Sequence, residues 1–153
     1  MALRLGSPMP SLEGASEWLQ GGYSQEELMG APVLIHFWAV SCYICKNNFE
    51  SLAKWRADYG VKVLRMVAIH MPRQEEDLDL VRVKEVLAEF KVPDLCAVDN
   101  THAIKDAFEN DQGWVPAYFL YDETGALKSR AAGEAGVGII EGALKRIFEP
   151  QPQ

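Results

Sequence analysis

Two cysteines three positions apart, Cys42-Tyr43-Ile44-Cys45, stand between the apolar run Val33-Leu34-Ile35-His36-Phe37-Trp38 and a segment whose apolar residues recur every three or four positions. That placement demands a strand, a tight turn and a helix in succession, with both thiols at the helix entrance. Residues three apart on a helix share one face about 5–6 Å apart, within reach of a disulfide after small adjustment. Unpaired N–H groups and the positive end of the helix dipole favour a thiolate in the first turn, which lowers the thiol pKa. Cys42 is therefore expected to attack, and Cys45, one turn further in, to resolve.

The rest of the chain agrees with a soluble redox protein. Its 153 residues fit one domain, with 1–32 as an N-terminal extension and 33–148 as the core. An apolar fraction of 48% with 24% charged residues is that of an ordinary globular chain. The net charge of -7, with no Lys/Arg run, argues against a nucleic-acid partner. No apolar stretch reaches the length of a membrane span, and the first ten residues lack the core of a secretory signal, so the expected location is cytoplasmic with no membrane partner. Three cysteines make no structural disulfide framework, and a thiol pair in that compartment points to catalysis or metal binding.

Periodicity gives the order β-α-β-α-β-α-β-β-α, an α/β chain with a mixed sheet and helices on both faces. The central strand is 33–38, nearly continuous in apolar residues as a strand buried on both sides should be. Cys45, Phe49, Leu52, Trp55 and Tyr59 form the buried stripe of the next helix, which Gly60 stops. A second strand is expected from Val61 to Ile69, then a polar excursion through Glu75-Glu76-Asp77-Leu78-Asp79, read as solvated surface. A helix burying Leu80, Val83, Val86, Leu87 and Phe90 follows, then a strand at 95–98 and a short helix around Ala103 to Phe108. The strand 117–121, the turn Asp122-Glu123-Thr124-Gly125 and a strand from Leu127 to Ala131 make a hairpin before a last helix with Ile139, Ile140, Ala143, Leu144, Ile147 and Phe148 inside. Residues 1–32 read as a loosely structured lead-in, with short strands or a turn of helix, that covers a sheet edge.

Two segments carry a family pattern. Phe37-Trp38-Ala39-Val40-Ser41-Cys42-Tyr43-Ile44-Cys45-Lys46 resembles the active-site segment of the thioredoxin superfamily, and Trp114-Val115-Pro116 with the hairpin after it resembles the second signature. The helix-bearing insertion after the second strand makes the chain similar to the ResA/TlpA-like thiol-disulfide oxidoreductases. The resemblance implies a thioredoxin fold, a cis Pro116, and a Val115 backbone that pairs with a substrate chain beside Cys42. It implies thiol-disulfide exchange on a disulfide-bearing protein substrate, with a reducing protein or small thiol as the second partner and no cofactor. Trp38, Tyr43 and Ile44, next to or within the cysteine motif, join Val115 and Pro116 as the expected substrate-binding residues.

The chain also departs from the family. His36 stands where thioredoxins have a buried aspartate, and reads either as a hydrogen-bonded core residue or as a proton relay. Tyr43-Ile44 replaces Gly-Pro, Glu50 replaces a helix proline, and Asn48 replaces the glutamate of ResA-like proteins, so no potential carries over from a relative. A zinc site would need two more ligands, for which His70 and His102 are the candidates, but neither belongs to a spaced ligand pair, so no metal is expected. Cys96 reads as a small buried hydrophobe, and Lys46 as either a thiolate partner or a solvated lysine. The rival functions are a peroxiredoxin-type thiol peroxidase, weakened by Ala39 where that signature has threonine, and a non-catalytic redox sensor.

Overall fold

Alternation of side chains along the central strand decides which helices lie on which side of the sheet. In the computed structural model, which describes residues 3–149, the strands are β1 (Glu17–Leu19), β2 (Val33–Trp38), β3 (Arg65–His70), β4 (Leu95–Val98), β5 (Ala117–Tyr121) and β6 (Leu127–Ala132). They form one sheet in the order β1-β4-β3-β2-β5-β6. Strands β2, β3 and β4 are parallel neighbours, whereas β1, β5 and β6 each join antiparallel. All six residues of β2 are buried, which explains why its sequence is a nearly unbroken apolar run.

The helices are α1 (Gln25–Leu28), α2 (Tyr43–Tyr59), α3 (Leu80–Glu89), α4 (Ala103–Ala107) and α5 (Gly136–Phe148). Trp38 meets Phe49 of α2, whereas its neighbour Phe37 meets Phe108 at the end of α4, so α2 and α4 cover opposite faces. Flanking α2 are Phe90, at the C-terminal cap of α3, which packs on Phe49, and α5, whose Phe148 stacks on Tyr59. The expected stripe of α2 is buried as Cys45, Phe49, Leu52, Trp55 and Tyr59, with Asn48 added.

A boundary and a core position differ from the sequence expectation: Ile139, expected inside α5, is 55% exposed. Strand β3 begins at Arg65 rather than Val61, because Gly60–Lys62 is a short 3-10 turn and Val63 takes a left-handed backbone, φ 65. Helix α5 begins at Gly136, where the backbone lies close to the Tyr118 ring and a Cβ would stand 3.3 Å from it.

The lead-in is more ordered than its composition predicts. Its β1 pairs with β4, Glu17 opposite Val98 and Leu19 opposite Cys96, and so covers that edge of the sheet. Further upstream, Gly6 N–H donates to Leu127 O at 2.8 Å and Met9 N–H to Gly125 O at 3.2 Å, tying the same segment to the β5–β6 hairpin. Residues 1–2 and 150–153 of the expected single domain lie outside the described residues.

Candidate active site

Cys42 ends the loop that leaves β2, and it caps α2 rather than occupying its first turn. Its backbone is extended (φ -97, ψ 101), and its sulfur accepts the N–H of Cys45 at 3.1 Å. That N–H is one of the donors a helix start leaves unpaired, so the sulfur sits where negative charge is favoured. Cys42 and Cys45 are joined by a disulfide, Cα atoms 5.3 Å apart, and both are buried. Tyr43, between them, is 70% exposed.

The loop carrying Cys42 is pinned at each residue. Cys42 N–H returns to Ala39 O at 3.0 Å, and Val40 N–H donates to His70 Nε2 at 3.2 Å. Ser41 donates from both N–H and Oγ to Asp77, at 2.9 and 2.8 Å, and Arg73 N–H donates to the same carboxylate at 2.9 Å. Burial alone would raise the Asp77 carboxyl, but the donors of Arg73 and Ser41 outweigh it and hold Asp77 below the ordinary carboxylate range. Burial lowers His70 to about 4 against a smaller opposing pull from Asp77, so at neutral pH its imidazole is uncharged and free to accept from Val40.

The second signature arrives beside the first through strand pairing. Phe37 lies opposite Ala117 in the β2–β5 ladder, which sets Pro116 at the end of the sheet from which the Cys42 loop departs. The Val115-Pro116 bond is cis, as the resemblance implied. The Asn110 side chain holds this approach, accepting from Trp114 N–H and donating to Trp114 O, both at 3.0 Å. Among the described residues the Val115 backbone makes no hydrogen bond. Trp114 is 57% exposed, Val115 and Pro116 are buried, and Ile44 is half-buried.

Trp38 is corrected by the structure. It is 1% exposed, edge-on to Phe49 and His70, and its ring presents no face to a docking chain. His36 is equally enclosed: Nε2 donates to Asp94 Oδ2 at 2.8 Å, and Nδ1 has no partner among the described residues. Asp94 also takes a two-pronged contact from Arg56 of α2, at 2.9 and 2.7 Å. Burial opposes its ionisation, but His36 and Arg56 hold its carboxyl low. Asn48 donates to the Tyr118 hydroxyl at 3.0 Å, so an amide bridges α2 to β5 where ResA-like proteins have an acid.

Among the described residues the remaining candidates form no ligand cluster with the pair. His102 donates from Nε2 to Pro72 O at 2.7 Å, and His70 is committed to Val40, so neither histidine turns toward a shared ligand. Cys96 is wholly buried in β4, and burial pushes its thiol up to about 12, which makes it inert at neutral pH. Lys46 is half-buried and Glu50 exposed on α2. No described helix is long and apolar enough to cross a membrane.

This geometry has close counterparts. No family model matches the chain. It is 42% identical over 147 residues to the thiol-disulfide oxidoreductase YkuV of Bacillus subtilis, covering 95% of this chain and 97% of that one. The chain belongs to the thioredoxin-like thiol-disulfide oxidoreductases. The solution structure of a thioredoxin-like protein in its oxidized form superimposes with a TM-score of 0.87 at 40% identity, covering 98% of this chain and all of the other. The fold is shared with a thiol:disulfide interchange protein DsbE of Chlorobium tepidum, TM-score 0.73 at 22% identity over 94% of this chain and 96% of that one. In this family's terms the Cys42–Cys45 disulfide is the oxidised form of the exchanging pair.

Asp77, Asp94, Arg56 and Tyr118 escaped the sequence reading. Asp77 lay inside an acidic run, and the others carry no local signal.

Proposed function

We propose that this chain reduces disulfides of protein substrates in the cytoplasm, with Cys42 as the attacking thiolate and Cys45 as the resolving thiol. The observation that carries the assignment is the capping geometry: the Cys42 sulfur receives a helix N–H at the N-cap, while Cys45 lies inside the first turn. In the reduced protein the Cys42 thiolate attacks one sulfur of the substrate disulfide, forming a mixed disulfide and releasing a substrate thiolate that takes a proton from water. Cys45 then gives up its proton and attacks the Cys42 sulfur, expelling the second substrate thiolate. Two electrons have passed to the substrate, and the chain is left as Cys42–Cys45 until a protein dithiol or small thiol reduces it.

The uncommitted N–H and C=O of Val115 are suited to pair with an extended substrate backbone, beside Pro116. Tyr43 and Trp114 expose rings, and half-buried Ile44 adds apolar surface next to Tyr43. His36 is engaged with Asp94 rather than with the cysteine pair, which favours a core hydrogen-bonding role over a proton relay.

A Cys45→Ala variant should accumulate mixed disulfides with cellular proteins through Cys42, and the additional Cys42→Ser change should abolish them. Failure to trap any protein would refute protein substrates. Catalytic reduction of insulin with a regenerating thiol separates an enzyme from a sensor, which would not turn over. A reduction potential of about -270 mV suits a general reductant, and one of about -120 mV would reverse the proposed direction.

A further inference from the structure

The acidic stretch between β3 and α3 contains one member that never meets solvent. Asp77 is 0% exposed, and its carboxylate is directed at the residue immediately before the nucleophile. The Arg73 guanidinium reaches the same residue, its Nε and Nη2 donating to Ser41 Oγ at 3.3 and 3.1 Å. A buried negative charge and an exposed positive one therefore converge on Ser41, whose Cα lies about 3.8 Å from that of Cys42 across one peptide unit. Lys46, Glu76, Asp79 and Arg82 line the hollow next to Val40, Ser41 and Tyr43, and the neutral His70 faces Val40.

A brace alone needs only hydrogen-bond acceptors, which a neutral amide partly supplies. An ionised carboxylate bonded to the residue before a thiol does something more: it opposes loss of the thiol proton, whereas the helix N-terminus favours it. The guanidinium opposes the carboxylate in turn. We infer that Asp77 and Arg73 are positioning residues which act through Ser41 in opposite directions to set the ionisation of the Cys42 thiol. The inference rests on the reading of Cys42 as the attacking thiol.

The test is the pH dependence of iodoacetamide alkylation of the reduced protein, with the modified cysteine mapped by peptide mass. Asp77→Asn should lower the Cys42 pKa and Arg73→Gln should raise it, each by about 0.5–1 unit for a charge within roughly 10 Å at a partly buried site. The double variant should return toward the parent. Arg73→Lys keeps the charge without the fork and should stay near the parent value, a control that holds even where an Asp77 variant folds poorly. Equal upward shifts in Arg73→Gln and Arg73→Lys, or shifts of the same sign in Asp77→Asn and Arg73→Gln, would overturn the inference and leave a mechanical brace. Alkylation that maps to Cys45 would refute the assignment of the nucleophile itself, whereas alkylation at Cys42 with an unmoved pKa refutes only the role of the charge pair.

Discussion

Asp94 stands 58 positions along the chain from His36 and 38 from Arg56, yet it bonds to both. Such residues explain what was and was not legible in the amino-acid sequence. Cys42, Cys45 and Pro116 could be read because each lies in a short segment whose neighbours state its role. Asp77 and Asp94 could not, because their partners meet them only after the sheet has formed. Trp38 misled for a related reason: adjacency to a motif says nothing about burial, and both faces of β2 are covered, by α2 on the Trp38 side and by α4 on the other. His70 makes a prediction at this scale. Its folded pKa, about 4, lies below the ordinary 6.5, so between those values the unfolded chain binds the proton that the folded one refuses. Stability from this group is complete above pH 6.5 and is lost as the pH falls toward 4, by about 3 kcal/mol. Urea unfolding at pH 7 and pH 4.5 should show that loss in the parent, and His70→Gln should remove this part of the slope while keeping an acceptor for Val40. An identical pH slope in both proteins would refute it.

At the scale of elements, helix α2 was readable to its stripe and its stop, because a 3.6-residue period over seventeen residues leaves little ambiguity. The start of β3 was not. Val61 and Val63 carry strand propensity, but the chain uses them to turn out of α2, and Val63 pays with a left-handed backbone that β-branched residues resist. The residue is 63% exposed, so little burial is at stake. Replacing Val63 with Asn, which tolerates this conformation, should stabilise the protein by about 1 kcal/mol without the entropy cost of glycine. Thermal unfolding checks this, and an unchanged or lower midpoint would show that the turn carries no such strain. The same turn explains the misplaced boundary: apolar pattern reports burial and propensity, but not the local geometry that lets a helix reverse into a strand.

For the whole molecule, the order of elements was legible and the role of the first thirty residues only in outline. Edge coverage was expected, and β1 supplies it along β4, but the same segment also reaches the hairpin at the opposite edge. The lead-in is thus a strap across the α4 face, where a Cβ at Gly14 would stand 2.7 Å from that of Ala103. Removing residues 1–20 would expose the N–H and C=O groups of Leu95–Val98, a short apolar edge without charge to discourage pairing with another chain. It would also remove the Gln20 amide that donates to Val92 O and Asp94 O, at 3.0 and 2.7 Å, and so loosen the backbone that holds Asp94 between His36 and Arg56. The truncated protein should melt at lower temperature and self-associate in light scattering at neutral pH, even with Cys42 and Cys45 intact. A monomeric truncation with the parent melting temperature would show that β4 needs no cover, and that the strap is a passenger on the sheet.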